Sequence, residues 1–200
     1  MIKRINRAEE FGGVFDTMNE LENKNLQQYD KIIKSIVSEG KYMFREMRRF
    51  KQQVSLDECK EILKSEKRAA FSVIGDDGYP YTIPINFYYD EADNKIYFHG
   101  AKDGHKIDAI QKCNKVCLTT WNQGFKKEGC WEWNSTSVVV FGKVKLLSDT
   151  DIIEDRLRKL AIKYYPTIDE VEAEMNSAVN RVQMFAIEIE HMTGKLVNEK

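Results

Sequence analysis

The spacing of apolar residues divides the chain into a helical beginning, a β-rich middle and a mixed end. Beyond the Gly12-Gly13 break, Met18 and Leu21 are followed by Tyr29, Ile32, Ile33, Ile36 and Val37. The three- and four-residue steps of the later set predict an amphipathic helix, and Gly40 stands where a C-terminal cap belongs. Such an apolar stripe must dock, either on its own domain or on another subunit. The chain therefore reads as a helical arm over residues 1–42 and one domain over 43–200.

Past the arm, Ser55-Leu56-Asp57-Glu58 is a capping box, and it predicts a short helix through Leu63. The period then changes. Residues 69–74 form a compact apolar run, 81–89 are rich in β-branched and aromatic residues, and 95–99 read as alternating. Asp76-Asp77-Gly78 and Asp93-Asn94 supply turns between them, so this stretch is expected to be an antiparallel meander. Residues 104–112 read as a helix with Ile107 and Ile110 inward, and 116–121 as a strand. After a polar loop over 122–129 comes the longest β stretch, 131–147. Helices are expected over 149–164, with Ile152, Ile153, Leu157 and Leu160 on one stripe, and over 168–179, with Pro166 between them. Residues 182–189 close the chain as a strand. Five or six strands with peripheral helices predict a mainly β fold closed into a small barrel, because closure removes exposed strand edges.

Composition narrows the classes. At 200 residues, 42% hydrophobic and 32% charged, the chain is neither disordered nor fibrous. A net charge of −1, from 31 basic and 32 acidic residues, gives no global pull toward nucleic acid or an anionic membrane. No apolar run approaches the roughly 18–20 residues that cross a bilayer. Residues 1–6 are charged and lack the apolar core of a signal peptide, so a cytoplasmic location is expected. Cys59, Cys113, Cys117 and Cys130 read as ordinary reduced thiols. Cys113 and Cys117 are four apart, but no set of converging ligands accompanies them, and no metal is expected. Residues 41–53 are basic and form either a solvated linker or an arm that supplies cations to a phosphate.

The densest candidate chemistry is His99-Gly100-Ala101-Lys102-Asp103-Gly104-His105-Lys106. It leaves a strand, passes two glycines and enters a helix. Free amides at a helix start attract anions, and glycine admits a ligand close to the backbone. Lys106 sits in the first turn, where the helix dipole disfavours a cation, so a bound phosphate beside it is one reading and a solvated lysine on a plain turn is the other. His99 is either a hydrogen-bonded structural ring or a group that binds or transfers a proton; His105 and His191 read as surface residues. Pro84 within Thr82-Ile83-Pro84-Ile85-Asn86 places that strand at an edge or a bulge, because proline cannot donate to a ladder. Trp131 and Trp133 are expected to share one face of the long strand, in a core or a dimer interface, or as a wall for a flat heterocycle. Sequence signatures of nucleotide P-loops, dinucleotide folds, nucleophile elbows and metalloprotease helices are missing.

The order of these segments resembles the pyridoxamine-phosphate-oxidase-like FMN-binding split barrels, and within them the nitroimidazole-reductase branch. The resemblance rests on Met47-Arg48-Arg49, Asp77-Gly78-Tyr79-Pro80-Tyr81 with Pro84 and Phe87, and Ile96-Tyr97-Phe98-His99-Gly100-Ala101 with Gly104 and Lys106. It continues through residues 137–142 and Thr193-Gly194-Lys195, and covers roughly residues 43–197. It implies an antiparallel, Greek-key-like split β-barrel that forms a homodimer, with FMN at the subunit interface. Thr82, Ile83, Pro84, Ile85 and Asn86 would then present backbone to the flavin ring. The segment bearing His99, Gly100, Ala101, Gly104 and Lys106 would hold the phosphate, with Ser137 a further candidate. His99 would serve as the catalytic proton donor beside the flavin. The chain ends Lys195-Leu196-Val197-Asn198-Glu199-Lys200 rather than in the arginine-rich signature of true pyridoxamine-phosphate oxidases. The function so implied is an FMN-dependent oxidoreductase passing electrons to a small organic acceptor, of the nitroaromatic or 5-nitroimidazole class that the branch suggests. The alternative is a flavin, deazaflavin or haem binding protein without turnover.

Overall fold

A computed structural model describes residues 44–179 and 181–198 of the chain. Backbone contacts divide the chain into Met1–Glu46 and Met47–Lys200. The helix expected over residues 1–42 lies outside the described residues.

The second unit opens with a 3-10 turn and β1 (Gln53–Val54), followed by α1 (Leu56–Ser65). The capping box forms as its residues require: the Glu58 amide donates to Ser55 Oγ at 3.2 Å, and the Ser55 amide donates to Glu58 Oε2 at 3.0 Å. Then come β2 (Arg68–Ile74), β3 (Pro80–Asn86), β4 (Tyr88–Asp90), β5 (Lys95–Gly100), α2 (His105–Lys112), β6 (Lys115–Trp121) and β7 (Phe125–Lys126). The chain finishes with β8 (Trp133–Leu146), α3 (Thr150–Tyr164), α4 (Ile168–Ala178) and β9 (Gln183–Asn198). Asp149 and Thr167 cap α3 and α4 by accepting the amides of Ile152 and Glu170.

One antiparallel sheet is ordered β3-β2-β6-β8-β9-β5-β4, with β1 added to β9 and β7 to β8. The stretch 69–99 is therefore not the meander its turns predict. It is two hairpins, β2–β3 and β4–β5, at opposite ends of the strand order. A single residue, Phe87, joins β3 to β4. Two backbone steps span at most about 7 Å, so the two ends of the sheet must meet there, and the sheet curls into a split barrel. Among the described residues nine strands replace the expected five or six, because 81–89 breaks at Phe87 and the short β1 and β7 add to the ends.

β3 is an edge strand, which explains Pro84. Its register with β2 runs without a shift from Arg68↔Asn86 to Ile74↔Pro80, so the edge, and not a bulge, accommodates the proline. The bulge lies elsewhere, where Phe141 faces His191 but Gly142 faces Ile189. A Cβ on Gly142 would run into the carbonyl of Glu188. Gly194 of β9 is needed for a similar reason, since α1 packs so closely that a methyl there would overlap Cys59 Sγ.

Two cores result. Phe71, Ile85, Phe87, Ile96, Phe98, Leu118, Val138, Val140, Phe185 and Ile187 fill the barrel. Tyr97, Met184 and Ala186 pack outward against Leu157, Leu160 and Ala161 of α3 and Val171 and Met175 of α4. β5 and the first part of β9 are thus covered on both faces. That is why Ile96-Tyr97-Phe98 and Met184-Phe185-Ala186-Ile187 are continuous buried runs and not the alternation expected for 95–99. On α3 the stripe is shifted from the expected one: Leu157, Leu160 and Ala161 are buried, whereas Ile152 is exposed. Trp131 precedes β8 and does not share its face with Trp133, and both indoles are exposed. Lys163 fastens α3 to the end of α1 by donating to the carbonyls of Glu66 and Leu63 at 2.5 and 3.3 Å. Burial lowers its pKa to about 8.

Candidate active site

The curl that brings β3 next to β4 and β5 opens a cavity of about 460 Å³ along the free side of β3. Ile83, Pro84, Ile85 and Asn86 form one wall, His99 and Lys106 the other, and Arg68 stands at the start of β2 opposite Asn86. Alternation along β3 turns Pro84 and Asn86 outward while Ile85 enters the core.

Lys106 is the principal charge. Its ammonium lies 4.6 Å from the centre of the Phe185 ring and 5.6 Å from that of Phe98, over two rings stacked in parallel at 4.5 Å. A side chain at residue 100 would overlap the ammonium, so Gly100 supplies the space it occupies. No carboxylate among the described residues pairs with Lys106, and loss of hydration lowers its pKa. A half-buried cation with aromatic contacts and an open side is chemically suited to an anion. The helix it opens has no side-chain cap. Gly104, at φ +102°, is the N-cap of α2, a conformation open to glycine, and its carbonyl accepts the Ile107 amide at 2.8 Å.

His99 sits at the end of β5, opposite Met184 of β9. Its side chain faces solvent space, yet the surrounding protein thins its hydration, and this lowers its pKa below the ordinary histidine value. Glu174 of α4 acts in the opposite sense and the Lys106 charge reinforces the lowering. Asn86 and His99 also border a second cavity of about 370 Å³, roofed by α3 and α4.

Of the residues expected from the sequence, Ile83, Pro84, Ile85, Asn86, His99 and Lys106 come together around the first cavity. Thr82 lies on β3 with its hydroxyl bonded to Ser72 at 2.8 Å. Gly100, Ala101 and Gly104 form the turn that carries Lys106. Ser137 lies in the middle of the sheet, between Trp121 of β6 and Lys195 of β9, and does not line this cavity.

Sequence reasoning missed two groups. Arg68 reads as an ordinary charged residue before a strand, and only the register with Asn86 reveals its place. The wall supplied by α3 and α4 carries no local signature. His105 is exposed, as expected, and there it stacks on Tyr81 with ring centres 4.1 Å apart and faces Asp76 at 3.5 Å. The hydrogen bond from Lys112, with the charges of Lys112 and His105, holds the Asp76 carboxyl below its usual range. No helix among the described residues is long and apolar enough to cross a membrane.

Comparison with known proteins agrees with this architecture. The family model described as pyridoxamine 5'-phosphate oxidase matches residues 55–196. No curated protein matches the sequence. Among solved structures, a candidate 5-nitroimidazole antibiotic resistance protein from Bacteroides thetaiotaomicron superposes with a TM-score of 0.62 at 23% identity, over 73% of this chain and 87% of that one. An FAD-binding protein from Mesorhizobium loti gives 0.53 at 23% identity, over 72% and 96% of the two chains. The flavocytochrome Anf3 of Azotobacter vinelandii gives 0.61 at 18% identity, over 80% and 77%. These likenesses show a shared split-barrel fold. With the family model spanning α1 to β9, the chain belongs to the pyridoxamine 5'-phosphate oxidase family.

Proposed function

We propose that the chain is a flavin-dependent oxidoreductase that holds FMN in the first cavity and passes electrons to a small organic acceptor. The observation that carries this reading is the pair of cations, Lys106 and Arg68, in a cavity walled by the free edge of β3. The residues suit a phosphorylated planar ligand. Lys106 would pair with the phosphate from its seat over Gly100, and Arg68 would add a second charge. β3 pairs on one side only, so its outward backbone groups would be open to a ring. Two of the structural neighbours, an FAD-binding protein and a flavocytochrome, support a flavin as the ligand.

FMN when bound supplies a two-electron redox centre. His99 is positioned to hold or deliver the proton that reduction of an acceptor requires. Thin hydration, reinforced by the Lys106 charge, favours its neutral imidazole. An anion on Lys106 would offset that repulsion and leave the attraction of Glu174 opposed by thin hydration alone. A homodimer with FMN at the seam and a cytoplasmic location complete the reading. Exposed aromatics at the β6–β7–β8 end, Trp121, Phe125 and Trp133, offer a contact surface. The likeness to the Bacteroides protein favours a nitroaromatic acceptor of the 5-nitroimidazole kind.

The test is to incubate the protein with FMN, remove free flavin by gel filtration, and record the visible spectrum. Retained flavin absorbance that bleaches with a nicotinamide reductant and returns with a nitroaromatic acceptor is expected. A colourless protein overturns the reading, and a bound chromophore that never bleaches reduces it to a flavin carrier.

A further inference from the structure

The second cavity is separate from the cation-lined one but shares Asn86 and His99 with it. Asn86 and His99 form the boundary between the two, so an occupant of either cavity meets these side chains. At about 370 Å³ it is at the small end of ligand sites, and admits a molecule of one or two rings.

Its chemistry is opposite to that of its neighbour. The first cavity carries Arg68 and Lys106, whereas the formal charge among the residues lining the second is the carboxylate of Glu174. Tyr165 lines the same cavity as Glu174. Leu157, Leu160, Ala161 and Met175 make the remaining wall apolar, and a thioether adapts readily to flat rings.

We infer that this second cavity is the acceptor subsite, that it takes a flat organic molecule that is uncharged or cationic, and that Glu174 sets this preference by rejecting anions. The inference rests on the flavin reading for the word acceptor, while the charge preference stands on the cavity itself. An anionic ligand would be desolvated beside a fixed carboxylate, which is unfavourable, whereas an ammonium or N–H group finds an acceptor there. Segregating the charges in this way also keeps a phosphate in the first cavity and out of the second.

The test uses three nitroaromatic probes of one shape: para-nitrobenzylamine, para-nitrobenzyl alcohol and para-nitrobenzoate. Binding to the full chain is measured by equilibrium dialysis with and without FMN, and flavin retention is recorded separately. The amine and the alcohol are expected to bind and the benzoate to bind far more weakly. Glu174→Gln should weaken the amine about tenfold and leave the alcohol unchanged. Glu174→Lys should reverse the order in favour of the benzoate, and the isosteric Gln variant carries the test should the Lys variant fail to fold. Equal binding of all three probes, or an unchanged order in the variants, overturns the inference even if FMN is retained. A charge order that persists in a protein unable to retain FMN supports the site and overturns the flavin reading instead.

Discussion

The hydroxyl of Tyr164, the last residue of α3, accepts the backbone amide of Phe87 at 2.8 Å and lies 3.0 Å from its carbonyl. The same hydroxyl also bonds the carbonyl of Lys67. Phe87 is the single residue that carries the chain from one end of the sheet to the other, so it has no ladder partner. A side chain 77 positions away satisfies it. Burial raises the Tyr164 pKa to about 12, and the hydroxyl keeps its proton at neutral pH.

Tyr164→Phe should therefore cost about 1–3 kcal/mol, because the Phe87 amide loses its partner. Urea unfolding checks this. Since β3 ends at that link, FMN retention should fall in the same variant. An unchanged unfolding midpoint would show that water replaces the hydroxyl without loss.

Gly100→Ala offers a way to disturb Lys106 without removing it. The added methyl meets the flexible end of the lysine, with Phe185 next at 3.5 Å, so the backbone has little to resist it. Stability should change by less than about 1 kcal/mol. FMN affinity should drop roughly tenfold, as it would for the loss of one charge-assisted contact. Lys106→Met should drop it further and flatten its dependence on salt, while Lys106→Arg retains part of it. Equal FMN affinity in all three variants would remove Lys106 from the site.

The His99 pKa should move upward when the first cavity receives an anion. Thin hydration and the Lys106 charge hold it below the ordinary value, and Glu174 opposes them. Inorganic phosphate on Lys106 would cancel the repulsion without adding a ring that dries His99 further, so the titration midpoint should rise. The chain has 3 histidines, which makes the imidazole resonances assignable by substitution and their midpoints readable by NMR. A downward shift on adding phosphate would place the anion elsewhere.

Acid should destabilise the fold through Asp90. Burial alone would raise its pKa, but the Ala92 amide at 3.0 Å, the Arg156 guanidinium and Lys159 together hold it below the usual range. Arg156 also bonds Asp93 at 3.3 Å and lies 4.8 Å from the Tyr97 ring centre. A carboxyl with a depressed folded pKa contributes stability fully above its unfolded value of about 3.9 and loses it as pH falls through the folded value. Stability measured by urea titration should decline below about pH 4. Arg156→Leu should cost about 3–5 kcal/mol at neutral pH, because it strands a buried carboxylate, and should flatten the acid limb. A parallel acid limb in the variant would assign the loss to other groups.

The sequence by itself determined what depends on neighbours within a few positions. The Ser55–Glu58 capping box, the Asp149 and Thr167 caps, the turns at Asp77 and Asn94, and the glycine-flanked entry to α2 at Gly104 all form where their residue types direct. Lys106 and His99 were legible for the same reason, since a strand end, two glycines and a helix start lie within eight residues. Tertiary structure decided everything that depends on which surfaces become covered. Tyr97 and Met184 are buried because α3 and α4 close over the outer face of β5 and β9, and no period within those strands announces it. Arg68 reaches the cavity through a register with Asn86, and the two ends of the sheet meet at Phe87 because one residue cannot span more. Local free energy is set by caps, turns and periodicity, which short segments carry whole. The cavity is set by the pairing of segments far apart in the chain, whose energies appear only once the sheet has curled.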